Sequence, residues 1–242
     1  MTSTVAWPDF AKLGDPLQQL VTMSRFYGGN PDFILATGGN ASVKIGEQLY
    51  VKESGATMAT IDKRGYVELT RGPLDRLLDG VLRGSDEALG ERFLETVMGA
   101  RTHPELGQRP SGECLLHHVL PSRFVMRTHA TQANILACSK DGRSRVSRLF
   151  GDDALWIPYV NPPGIRSGKM LYEALLDYRK RTGNACPKAV FMANHGFIVC
   201  GDTPDEIRET TESVVCGIDA HLGTASEEPF GKISSCSSET TR

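Results

Sequence analysis

The sequence predicts one α/β domain whose central sheet is mixed, largely antiparallel and covered by helices. Three observations predict it. Helical and strand patterns are interleaved along nearly the whole chain, hairpin signals occur among the strands, and no linker divides the interior. Asp15 opens the first helix as a cap, with Pro16 suited to the first turn and Leu17, Leu20 and Val21 at helical spacing. Phe33-Ile34-Leu35 reads as a short strand leading into Gly38-Gly39-Asn40. A hairpin follows, with Val43 and Ile45 on one arm, Leu49 and Val51 on the other, and Gly46-Glu47 as its turn. Helices are expected around 73–82 and 86–99, the second capped by Ser85.

Ser111 is the expected cap of a helix running from Cys114 to Leu120. Phe124-Val125-Met126 predicts a strand ending near His129, and 131–138 a short helix. In Trp156-Ile157-Pro158-Tyr159-Val160 the proline points to an edge strand or a strand end. Residues 167–181 read as helix, and the runs 189–192 and 197–200 as strands flanking Asn194-His195-Gly196. Thr203-Pro204-Asp205-Glu206 has the form of a capping box for a last helix reaching about Leu222. Beyond Ala225 the chain is rich in Ser, Thr and Glu, a composition that predicts disorder. The expected organisation is therefore an extension over 1–14, a folded domain over 15–222 and a tail over 223–242.

Charge narrows the function classes. Lys plus Arg number 27 and Asp plus Glu 29, so a net charge of −2 argues against both a nucleic-acid binder and a disordered polyanion. No secretory signal and no membrane-spanning run is read anywhere. No two of the six cysteines are two to four residues apart, which leaves no zinc-ribbon pair. Cys200 and Cys216 end apolar runs and read as buried thiols of a reducing cytoplasm, whereas Cys236 lies in the polar tail.

Three turns have the chemistry to hold an anion: Gly38-Gly39-Asn40, Ser54-Gly55 and Ser111-Gly112. Each alone reads more readily as an ordinary turn or cap. None has the spacing of a dinucleotide or P-loop motif, so no nucleotide is expected. His129 ends a predicted strand and His195 occupies a tight corner between two more. Glu113 stands at a helix start, with His117 four residues on along the same face.

Taken together and in order, Gly39-Asn40-x-Ser42, Val51-Lys52-x-Ser54-Gly55, Pro110-Ser111-x-Glu113-x-x-x-His117, Thr128-His129 and Asn194-His195-Gly196 resemble the class II aldolase/adducin family. The rhamnulose-1-phosphate aldolase-like branch is the most similar, and the resemblance covers roughly residues 15–222. It implies a three-layer α/β/α sandwich, a homo-oligomer (commonly a tetramer) with active sites near subunit boundaries, and a small anionic, sugar-like substrate. It further implies zinc or another divalent metal acting as a Lewis acid in carbon–carbon bond cleavage. Carried over by position, Asn40, Ser54, Gly55, Ser111 and Gly112 match the substrate and phosphate contacts, Glu113 the catalytic acid/base, and His129 and His195 two metal ligands.

One departure bears directly on that chemistry. The family takes a His-x-His pair from the strand, and residues two apart on a strand project to one face. Here the first of the pair is Arg127, which has no lone pair to offer a metal. Three readings follow. The chain has lost metal and activity and serves binding or assembly, as in the adducin branch; or His129 and His195 hold a metal more weakly, with His117 as the nearest substitute ligand; or Arg127 itself replaces the metal's charge toward a carboxylate or enolate. The expectation is a carbon–carbon lyase for a small phosphorylated or carboxylated sugar derivative, with a catalytically inactive scaffold as the alternative.

Overall fold

The computed structural model describes residues 6–223, except 80, 81 and 162. The chain opens with α1 (Pro16–Gly28), whose first turn is capped by Asp15, its carboxylate accepting from Leu17 N at 3.0 Å. β1 (Asn40–Ile45) and β2 (Gln48–Lys52) form the expected hairpin, with Gly46 at φ +58° in the turn and Ile45 opposite Gln48. β3 (Tyr66–Thr70), α2 (Gly72–Leu78) and α3 (Asp86–Gly99) follow, the last capped by Ser85 Oγ on Ala88 N at 3.3 Å. Then come α4 (Cys114–Val119), β4 (Phe124–Thr128), α5 (Thr131–Ala137), α6 (Gly142–Phe150), β5 (Ala154–Ile157) and α7 (Ile165–Thr182). β6 (Ala189–Met192), β7 (Gly196–Gly201) and α8 (Pro204–Gly223) complete the described chain.

The seven strands form one sheet in the order β3-β2-β1-β4-β7-β6-β5, antiparallel throughout except for the parallel β5–β6 pair. Both faces are covered, which makes three α/β/α layers. Val125, Ile198 and Cys200 point into a core built with α2, α3, α4 and α7. Their neighbours Phe124, Met126, Phe197 and Val199 point the other way, into a core built with α1, α5, α6 and α8. This period-2 alternation with both faces apolar explains why the central strands read as continuous hydrophobic runs. It also buries polar side chains. On β1, Ala41 and Val43 belong to the second core, so Asn40, Ser42 and Lys44 are turned toward α4 and are buried there.

Several expectations are corrected. Phe33-Ile34-Leu35 forms no strand: the amides of Phe33 and Ile34 both bond to Asn30 O, closing turns after Pro31, and Leu35 is exposed. A three-residue apolar run is too short to specify a strand against such turn chemistry. β3 and α6 are elements that the sequence pattern does not announce. α6 buries Gly142 and Val146 and packs Leu149 and Phe150 on the same core, but this apolar stripe is short and sits among three arginines and two serines. Pro158 does follow an edge strand, β5, which stops at Ile157. The capping box is half made: Thr203 Oγ1 accepts from Glu206 N at 3.2 Å, but the Glu206 carboxylate accepts from Asp202 N instead. Cys216 is exposed on α8 rather than buried, while Cys200 is buried as expected.

At the amino terminus, Phe10 is buried in the α1 core and the Trp7 ring lies 4.8 Å from that of Phe26. Residues 6–14 therefore pack onto the domain. The expected tail, from 224 onward and including Cys236, lies outside the described residues. Among those described, no helix is long and apolar enough to cross a membrane.

Candidate active site

One end of the sheet collects the polar groups, because the antiparallel order brings the start of β1, the end of β4 and the β6–β7 turn together. Arg127, near the end of β4, sits opposite Asn40 of β1 on one side and Ile198 of β7 on the other. Its parity along β4 is that of Val125, which turns it toward α4, and Glu113 stands at the start of that helix. His129 follows β4 directly. His195 occupies the turn between β6 and β7, where Asn194 takes φ +53°.

The Glu113 carboxylate is the hub. Oε2 accepts from Arg127 Nη2 at 2.7 Å, Arg127 Nε at 3.0 Å and Asn40 Nδ2 at 3.1 Å. Oε1 lies 3.1 Å from His195 Nε2. Asn40 Nδ2 also donates to Ser111 Oγ at 2.7 Å, and that oxygen accepts from Glu113 N at 3.3 Å, tying the start of α4 to β1. The third guanidinium nitrogen of Arg127, Nη1, contacts His129 Nε2. Glu113 and Arg127 are both buried, with side chains 5% and 8% exposed, whereas His195 is 23% exposed.

Burial by itself would raise the Glu113 carboxyl. The charge of Arg127 and the hydrogen bonds from His195 and Asn40 outweigh it and hold the group well below the usual carboxylate range. Glu113 is therefore ionised and accepts only, so His195 Nε2 must be the donor, and a neutral imidazole then keeps Nδ1 as its acceptor. His129 is pushed down to about 4 by its burial, reinforced by the Arg127 charge. It stays neutral, and Nε2 faces the guanidinium as an acceptor.

These contacts test the expected metal. His129 Nε2 is occupied by an Arg127 donor, His195 Nε2 is turned to Glu113, and a guanidinium lies where a third ligand is needed. A zinc site needs three or four converging lone pairs. Among the described residues, no group of three or more His, Cys, Asp or Glu is arranged to hold a metal. The donor set does not fit a zinc ion. His117, the substitute ligand, is committed elsewhere: it is fully buried with Nδ1 2.9 Å from Ser42 Oγ, and its ring is not among the groups touching Glu113. Burial pushes it down to about 3.

The turns at Ser54-Gly55 and Ser111-Gly112, expected to hold an anion, lie side by side. Glu53 bridges to Pro110, Ser54 N donates to Arg109 O at 2.8 Å, and Ser111 N donates to Lys52 O at 3.1 Å. Gly55 has φ +85° in a turn closed by Ala56 N on Glu53 O, a backbone that favours glycine. Gly112 has no comparable need, since an added Cβ would meet nothing nearer than Pro163 O at 3.7 Å. Ser54 and Gly55 are exposed, and Ser111 and Gly112 are half-buried.

Sequence reasoning missed two supports. Lys52, buried at the end of β2, donates from Nζ to Ala56 O at 2.6 Å and so fastens the Ser54-Gly55 turn. Its burial, with the Arg127 charge, lowers its pKa. The signal was a lysine directly after the apolar Val51 of the hairpin arm. Asn134 on α5 donates to His129 O at 3.3 Å and steadies the end of β4, a contact that no local pattern announces.

Fold and site together define a class II aldolase-like α/β/α protein. The family model of the class II aldolase and adducin N-terminal domain matches residues 18–217, and the chain belongs to that family. An uncharacterized oxidoreductase of Bacillus subtilis (strain 168), YuxG, is 27% identical over 214 residues, covering 85% of this chain. The chain spans only 29% of that relative's length. Among solved structures, the N-terminal class II aldolase domain of a conserved Thermoplasma acidophilum protein matches with a TM-score of 0.72 and 25% identity, over 92% of this chain and 99% of that one. L-fuculose-1-phosphate aldolase from Thermus thermophilus shares the fold, with a TM-score of 0.54 and 14% identity over 86% and 93% of the two chains.

Proposed function

We propose that the pocket is a metal-independent carbon–carbon lyase site for a small phosphorylated or carboxylated, sugar-like molecule. The observation that supports it is the Arg127–Glu113 ion pair, with a guanidinium standing beside His129 and His195 where the family would place a cation. In this reading Glu113 is an ionised anchor rather than a proton carrier. It orients His195, whose Nδ1 takes the proton from the substrate hydroxyl next to the bond that breaks. Arg127 supplies fixed positive charge toward the enolate that forms. The turns at Ser54-Gly55 and Ser111-Gly112 receive the anionic end. Asn40 Oδ1, buried without a hydrogen-bond partner among the described residues, suits a sugar hydroxyl. A homo-oligomer, expected from the family, belongs to the same reading, and size-exclusion chromatography with light scattering checks it.

The test is a retro-aldol screen of sugar phosphates and hydroxy acids, run with chelator and with added zinc. The expected result is cleavage that chelator does not abolish and that Glu113→Gln lowers at least ~10²-fold, because His195 then loses the anchor that positions it as general base. Cleavage appearing only with added zinc contradicts the proposal. A second reading has its own support: all three guanidinium nitrogens of Arg127 already contact Glu113 and His129, which favours a catalytically inactive, adducin-like binding member. Saturable binding of a sugar phosphate without turnover of any substrate is the result that selects it.

A further inference from the structure

Far from the Glu113 cluster, two thiols face each other. Cys186, half-buried in the loop before β6, has its Sγ 3.6 Å from Sγ of Cys200, which is buried on β7. We propose that Cys186 and Cys200 are a peroxide-oxidisable dithiol that closes to a disulfide across the base of the β6–β7 hairpin. The sulfurs are already in van der Waals contact, the approach from which an S–S bond of about 2 Å forms.

The two positions have unlike surroundings, as an attacking and a resolving thiol require. Cys186 lines a cleft of about 490 Å³ together with Ser122, Tyr178, Lys188 and Asp202, so a small oxidant can reach it. Ser122 Oγ lies 3.7 Å from its sulfur. Hydrogen bonds from Cys200 and Ser122, with the Arg179 charge nearby, lower the Cys186 thiol against the opposing effect of its burial. Cys200 is held back: its sulfur lies 3.6 Å from Pro187 O, and its contact with Cys186 together with its burial raises it. Thiolate character combined with access is what selects one cysteine for oxidation over another.

The chemistry balances with hydrogen peroxide as oxidant. The Cys186 thiolate attacks one peroxide oxygen, the O–O bond breaks, and a sulfenic acid forms while the leaving hydroxide takes up the proton that the thiol released and becomes water. The Cys200 sulfur then attacks the sulfenic sulfur, the S–S bond forms, the S–O bond breaks, and a second water leaves. Peroxide accepts the two electrons that the thiols lose. The ring so closed runs from Cys186 to Cys200 and carries His195 near its tip.

The experiment treats the full native chain with stoichiometric hydrogen peroxide, blocks remaining thiols with iodoacetamide, and maps non-reduced peptides by mass spectrometry. The exposed Cys138 and Cys216 serve as internal comparators. The expected product is a Cys186–Cys200 linked peptide, two hydrogens lighter than its parts, formed before either comparator reacts and removed by dithiothreitol. In Cys200→Ser, Cys186 should accumulate as a dimedone-reactive sulfenic acid. In Cys186→Ser, Cys200 should remain alkylatable. The proposal is overturned if Cys186 and Cys200 stay fully alkylatable while Cys138 or Cys216 is oxidised. It is equally overturned if Cys186 passes to sulfinic or sulfonic acid in the native chain with no linked peptide.

Discussion

Arg127 and Glu113 owe their stability to each other. Removing one buried partner leaves the other charge without compensation, so Glu113→Gln should cost about 3–5 kcal/mol of stability. Replacing both, as in Glu113→Gln with Arg127→Met, should recover most of that loss. Denaturant unfolding of the native chain, Glu113→Gln, Arg127→Met and the double variant reads the coupling directly. The pH dependence has a fixed sign. The folded carboxyl titrates below its ordinary 4.5, so its contribution is complete above about that pH and is lost as the pH falls through the folded value. His129 adds to the same trend. Its folded value of about 4 lies below the ordinary 6.5, so the unfolded chain binds that proton first and stability declines as the pH drops from 6.5 toward 4. NMR titration should place this ring near 4 and move it up by ~1 unit or more in Arg127→Gln, because the guanidinium is one cause of the depression. At this scale the sequence was informative about membership and silent about contact. Glu113, His129 and His195 could be placed by motif, and Arg127 stood out as a residue unable to bind metal. That its three nitrogens divide between Glu113 and His129 depends on the β1–β4 register and the approach of α4, which no local pattern encodes.

The elements are held by close approaches that short side chains permit. Gly168 of α7 packs on Leu115 of α4, and a Cβ there would come within 2.5 Å of the leucine side chain. Gly168→Ala should therefore cost about 1–3 kcal/mol through overpacking. Gly90, exposed in α3, has nothing within 4 Å of the same added atom, and Gly90→Ala should stabilise by roughly 0.5–1 kcal/mol through helix propensity. Thermal melts of the two variants should move in opposite directions. Elements with strong local chemistry were legible: the Asp15 and Ser85 caps, the Gly46-Glu47 hairpin and the edge position announced by Pro158 all occur as read. β3 and α6 were hidden for different reasons. β3 is five residues long with Glu68 at its centre, and the apolar stripe of α6 is confined to Val146, Leu149 and Phe150 at its end.

On the scale of the whole molecule, the sheet order decides where chemistry is possible. Covering both faces forces Asn40, Ser42, Lys44 and Arg127 into the α4 layer, and the antiparallel turns bring His129 and His195 to the same end. The three layers and the family follow from the ordered motifs, and the family match over 18–217 agrees with them. The chemistry depends on one substitution within that frame. The proposed reaction requires that the Arg127 guanidinium, fastened by Glu113, stands in for a metal ion. Zinc titration of the full native chain by isothermal calorimetry at neutral pH, alongside Arg127→His, tests this most directly. The expected result is no stoichiometric binding to the native chain and one zinc per chain in the variant. Stoichiometric binding to the native chain would contradict it.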